Sequence, residues 1–166
     1  MRLSRSNVRV AKSLWIQGLA LLFTGVAPTL GCGGGPCNVA ENHLEGSVSE
    51  LSLDLDVDKV RVRKVDTDTV AIEFKHGNDF VAKVTVDIRS YKKGAAIPLS
   101  DGQVKRITSP DTQYPTTLVH GEVTFDSELR VGADAAGCFN VLFQFDDGTQ
   151  RTLLGGFRAP LEDLTI

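Results

Sequence analysis

Nucleophilic hydrolysis needs a serine or cysteine held beside a base, most often a histidine. The chain has three histidines, His43, His76 and His120, and no Gly-x-Ser-x-Gly turn to present a nucleophile. The spacing of the three fits no zinc pattern. His76 and His120 fall at the ends of alternating runs and His43 beside a glycine-rich stretch, so all three read as surface residues. Asp54, Asp56 and Asp58 have the every-second-residue spacing of a calcium loop. Such a loop also needs a glycine at its sharp turn and a later glutamate, and Lys59 and Val60 follow instead. Leu51, Leu53, Leu55 and Val57 interleave with these aspartates, which makes the aspartates the wet face of a strand. Asp146-Asp147-Gly148 reads as a hairpin turn before it reads as a metal site. No catalytic residue, cofactor or metal site is expected, and the chain is not expected to be an enzyme.

One stretch departs from the charge balance of its surroundings. Residues 89–111 hold Arg89, Lys92, Lys93, Lys105 and Arg106 against only Asp101 and Asp111. Lys92, Lys93, Lys105 and Arg106 are therefore candidate contacts for an anionic surface, such as lipid headgroups or lipid A phosphates. The plainer reading is a solvated loop with lysines that keep edge strands from pairing with other chains.

Residues 1–12 carry Arg2, Arg5, Arg9 and Lys12 and no acidic residue. An apolar run follows through Leu14, Trp15, Ile16 and residues 19–23, ending near Val26 and Ala27. It falls short of the ~20 apolar residues of a membrane span and matches the hydrophobic region of a signal peptide. It ends in Pro28-Thr29-Leu30-Gly31-Cys32. A small residue directly before a cysteine at this place resembles the lipobox of bacterial lipoproteins. The resemblance implies that the Cys32 thiol receives a diacylglycerol, that residues 1–31 are removed, and that the new amine is often acylated too. Two or more acyl chains anchor stably, each buried methylene contributing ~0.8 kcal/mol. Gly33 stands where an aspartate would favour inner-membrane retention, so the outer membrane of the envelope is the expected location. The alternative is plain secretion with a cut after Ala27, which would set Pro28 against the scissile bond.

Loss of residues 1–31 leaves fourteen basic and twenty-one acidic side chains, a net charge of −7. That balance argues against nucleic acid, whose binding depends on lysine and arginine at phosphates. Trp15, the only tryptophan, leaves with the signal peptide. Its loss argues against a sugar-stacking lectin, and the mature part lacks the early Gly-x-Trp of lipocalin-type carriers. Cys37 and Cys138, exported together, read as a disulfide. The loop it closes holds roughly 100 residues, for which chain entropy gives about 4.7 kcal/mol. Two free thiols are the alternative.

Residues 32–44 open with Gly33-Gly34-Gly35-Pro36 and read as a flexible tether. Residues 45–166 read as one domain. Period-two alternation runs through Leu51–Val57 and shifts phase near Asp58-Lys59, which predicts a turn or bulge there. It continues through Val70, Ile72 and Phe74, through Val84, Val86 and Ile88, and through Val123 and Phe125, then Leu129 and Val131. Phe139, Val141, Phe143 and Phe145 form a ladder, and Phe157, Ala159 and Leu161 repeat the theme. Asp66-Thr67-Asp68, Gly77-Asn78-Asp79 and Asp146-Asp147-Gly148 separate the runs. Pro98, Pro110 and Pro115 confine the middle segment to edge strands and loops. Gly137-Cys138-Phe139 and Gly155-Gly156-Phe157 echo each other, a likeness of hairpin geometry.

The expected fold is all-β, an antiparallel β-sandwich of about eight short strands, with a small closed β-barrel as the alternative. The mature part resembles small β-lipoproteins of myxobacterial type, which carry no assigned activity. The expected function is a membrane-anchored envelope lipoprotein, a non-enzymatic binding or structural module. Its expected partners are membrane lipid through acylated Cys32 and an envelope protein. The alternative is a barrel that carries a small apolar ligand.

Overall fold

The computed structural model describes residues 42–48, 51–106 and 117–164; the signal-peptide segment, Cys32, Cys37 and residues 107–116 lie outside them. The described residues form ten strands and no helix. In chain order these are β1 (His43–Val48), β2 (Leu51–Asp54), β3 (Lys59–Lys64), β4 (Thr69–His76) and β5 (Asp79–Asp87), then β6 (Ala96–Pro98), β7 (Val104–Arg106), β8 (Thr117–Phe125), β9 (Asp134–Gln144) and β10 (Gln150–Asp163).

The turns lie where short polar residues and glycine break the alternation. Asp66 Oδ1 accepts the Asp68 N–H at 2.8 Å, and the Val65 N–H donates to the Thr69 carbonyl at 2.9 Å, closing the β3–β4 turn. The β4–β5 turn places Gly77 at φ +59° and the β9–β10 turn places Gly148 at φ +86°. Only glycine takes that region without steric cost. The predicted interruption near Asp58 is a link between two strands. β2 ends at Asp54, β3 starts at Lys59, and Leu55 and Val57 pack half-buried against the core between them.

All the strands belong to one strongly curled, open sheet in the order β6-β8-β9-β10-β3-β4-β5-β7, with β1 and β2 attached beside β10. The all-β expectation holds, and the curl gives the sandwich-like enclosure of one core. The barrel alternative is not closed, because the strand order ends at β6 on one side and β7 on the other. The antiparallel expectation fails at one junction. Leu161, Glu162 and Asp163 of β10 pair in parallel with Val62, Arg63 and Lys64 of β3.

β10 joins the two halves. Its residues 150–160 pair antiparallel with β9 along one edge. Its other edge is shared: His43 to Gly46 of β1 pair opposite Gly156 to Leu153, and β3 takes the last three residues. Leu44, read from sequence as tether, is 1 % exposed and belongs to the core, so the domain starts earlier than residue 45. Pro98 lies in β6, an edge strand, where its missing N–H costs no ladder bond.

The inner face follows the alternation. Val70, Ile72 and Phe74 of β4, Val84 and Val86 of β5, Val123 and Phe125 of β8, and Val141 and Phe157 of β9 and β10 are fully buried. Phe74 and Phe139 meet edge-to-face at 5.6 Å between ring centroids, linking β4 to β9. Phe125 meets Phe157 at 5.4 Å and Tyr91 at 5.9 Å in the same manner. Such contacts contribute ~0.5–1.5 kcal/mol beyond area burial.

Candidate functional site

Hydrophobic alternation in β3, β4, β5 and β7 turns Val60, Val62, Val70, Ile72, Phe74, Ala82, Val84 and Val104 inward. The residues between them must face outward. Pairing register then sets them in rows: Lys59 opposite Lys75, Arg61 opposite Glu73, Glu73 opposite Lys83, and Lys83 opposite Lys105. Across the parallel junction Glu162 of β10 lies opposite Arg63.

This outer face is covered by long charged side chains. Glu73 is only 3 % exposed, although it points away from the core, and Ala71 beside it is 1 % exposed. The aliphatic stems of neighbouring Arg and Lys residues can cover such sites while their heads stay in water. Arg63 Nη1 donates to both Glu73 oxygens at 3.3 Å, and Lys83 Nζ lies 3.7 Å away on the other side. Arg61 grips Glu162 with two donors, Nε at 3.2 Å and Nη2 at 2.5 Å. Arg63 Nε lies 3.8 Å from the same carboxylate. The rows therefore hold six cations, Lys59, Arg61, Arg63, Lys75, Lys83 and Lys105, against two carboxylates, Glu73 and Glu162.

Three acidic groups bordering the face have partners. Asp87, further along β5, is bound by the Arg89 side chain and N–H, which holds its pKa at about 2 and keeps that pair neutral. At the other end Asp58 Oδ2 accepts the Gly77 N–H at 2.7 Å, and Asp56 lies 3.3 Å from His76 Nδ1.

The Arg61–Glu162 fork carries a pH signature. Hydrogen bonding to Arg61 is the main cause holding the Glu162 pKa below its ordinary 4.5. A carboxylate whose pKa is lower in the fold stabilises it above the unfolded value, and that contribution fades as pH falls through the folded value. The pair is partly solvated, its side chains 29 % and 40 % exposed, so water screens it and its worth is about 1 kcal/mol or less. Glu162→Gln should lower stability by that amount at neutral pH. In urea titrations the difference from the parent should shrink as pH drops below 4.5.

The four sequence-predicted cations do not form one group. Lys105 joins the sheet face beside Lys83. Arg106, at the end of β7, donates from Nη1 to the Val81 carbonyl at 2.8 Å. Lys92 and Lys93 are exposed in the β5–β6 connection, which is pinned by Tyr91 Oη donating to the Ser127 carbonyl at 2.8 Å. Lys59, Arg61, Arg63, Lys75 and Lys83 stand out in no stretch of the sequence. They come from strands whose local charge alternates unremarkably, and only the pairing brings them together.

The histidines are dispersed: His43 on β1, His76 at the end of β4 and His120 on β8, all exposed. Asp54, Asp56 and Asp58 are exposed, as a wet strand face and link should be. Among the described residues no group of three or more His, Cys, Asp or Glu side chains is placed to hold a metal. No described helix is long and apolar enough to cross a membrane. Cys138 is half-buried on β9, on the side away from Phe139 and Val141 and in line with Asn140 and Leu142, and it is not a free thiol. Cys32 and Cys37 lie outside the described residues.

Fold and site together define a small all-β domain with one cationic sheet face. No protein-family model, curated protein or solved structure matches the chain.

Proposed function

We propose that the chain is an envelope lipoprotein, held in the membrane by an acylated Cys32, with its β-domain acting as a non-enzymatic binding or structural module. The observation that carries this reading is the order of the N-terminus: four cations without an acid, a short apolar run, then Gly31-Cys32. Gly33 favours the outer membrane. The distance from anchor to domain suits the reading as well. β1 begins eleven residues after Cys32, which allows a reach of at most ~36–40 Å. The charged sheet face gives such a module a surface to dock with.

A Cys37–Cys138 disulfide belongs to the same proposal. It would fasten the tether to the outer side of β9 and cross-link the chain over most of the domain. Mass spectrometry of protein purified from native envelopes tests both parts. The expected chain starts at Cys32, carries the mass of its acyl groups, and exposes two thiols only after reduction. Cys32→Ala should shift the protein from the membrane fraction to the soluble fraction. A first residue of Met1 or Pro28 without fatty acid would overturn the anchoring.

A further inference from the structure

We propose that the outer face of β3, β4, β5 and β7 docks against the anionic lipid headgroups of the membrane that holds the anchor; this rests on the anchoring reading above. Charge segregation is the first argument. The mature chain has fourteen basic and twenty-one acidic side chains, yet these rows hold six cations and two carboxylates. A molecule so divided is oriented by an anionic surface, which attracts the cationic face and repels the acidic remainder.

The second argument is energetic. Lys59 lies directly opposite Lys75, and Lys83 directly opposite Lys105. Like charges in direct cross-strand opposition destabilise a sheet. Phosphate headgroups would relieve both pairs at once. Lys75 Nζ also sits 4.9 Å from the centre of the Phe80 ring, and Phe80 is 37 % exposed. A cation beside an exposed aromatic ring suits the boundary between headgroups and acyl chains.

The third argument is where the chain enters the domain. His43 of β1 pairs with Gly156, on the same edge of β10 that five residues later receives β3. That is about 17 Å along the strand. The anchored segment therefore joins the domain near the border of the cationic face, within the reach already given for the tether.

Lys59→Glu/Lys105→Glu separates this role from a structural one. It turns both like-charge pairs into opposite-charge pairs, so the fold should be as stable as the parent or more so, while the face loses its net charge. Lipidated parent and variant are reconstituted in neutral phosphatidylcholine vesicles and in vesicles with about a third phosphatidylglycerol, and lysine acetylation is followed by peptide mass spectrometry. In the parent, Lys75 and Lys83 should label several-fold more slowly on anionic than on neutral vesicles, with Lys92 and Lys93 unchanged. The difference should vanish in ~0.5 M salt, where the Debye length is only a few ångströms. In the variant it should be absent. Equal labelling of the parent on both vesicles, or protection of Lys92 and Lys93 instead, overturns the proposal. Flotation on neutral vesicles reads the anchor separately. If the protein does not float there, the anchoring reading fails. The face is then judged by flotation on anionic vesicles, which the parent must show and the variant must lose.

Discussion

Alanine at Gly137 is expected to cost the domain at least 3 kcal/mol or so, the upper end of the usual range for overpacking a core. Register explains why. Gly137 pairs with Phe157 and Gly155 pairs with Phe139, so each phenylalanine lies over the glycine of the other strand. The two short motifs that echo each other in sequence are thus the two sides of one reciprocal contact. A Cβ on Gly137 would stand 2.8 Å from Phe157 Cζ and 3.0 Å from the Phe125 Cα, and it would overlap the Thr124 carbonyl. Two of these obstacles are backbone in the neighbouring strand β8 and cannot turn aside. A Cβ on Gly155 would stand 2.6 Å from Phe139 Cζ, within a side-chain ring. Gly155→Ala should therefore cost about 1–3 kcal/mol and be partly rescued by Phe139→Leu. Gly137→Ala should not be rescued by Phe157→Leu. Urea melts of these four variants beside the parent decide it. An unchanged midpoint for Gly137→Ala would mean that β8, β9 and β10 are not in this register. Against a total stability of ~5–15 kcal/mol, either glycine change is a large fraction.

Phe74→Ala should cost about 3–5 kcal/mol, the usual range for emptying a buried aromatic site. Phe74 is fully buried and touches Phe139 edge-to-face. Its strand, β4, belongs to one half of the curled sheet and β9 to the other, so this contact measures whether the halves share a core. Phe80→Ala is the internal control, because Phe80 is 37 % exposed while Phe74 is fully buried, and its ring centre lies 4.9 Å from Lys75 Nζ. Its cost should be the smaller, about 1–2 kcal/mol, since full burial of a phenylalanine contributes ~1.5–3 kcal/mol and this one keeps over a third of its surface in water. Guanidinium unfolding of both variants gives the comparison. Similar small losses for the two would show that the halves do not close on each other.

Much of the strand pattern was legible because it is local. A residue's place in a period-two run depends on its near neighbours alone. Val70, Ile72 and Phe74, Val84 and Val86, and Phe139, Val141 and Phe143 fall on the buried side as their alternation requires. Asp66-Thr67-Asp68, Gly77-Asn78-Asp79 and Asp146-Asp147-Gly148 mark turns because short polar side chains and glycine act within two or three residues. The middle segment was less legible. Its edge strands β6 and β7 are three residues each, too short for a period to show. The candidate site was legible only in Lys105.

The sequence by itself determined the all-β class, the buried faces of the central strands and their turns, since alternation and turn chemistry act between near neighbours; it did not determine β1, read in part as tether, or the turn at Val131, where alternation suggests a strand. Tertiary structure alone decided that β10 serves both halves, running antiparallel to β9 and parallel to β3. That choice puts Glu162 against Arg61, 101 positions away in the chain, and so borders the cationic face. Cross-strand register between distant segments depends on which edges the whole core leaves open to pair, and no local pattern of residues carries that information.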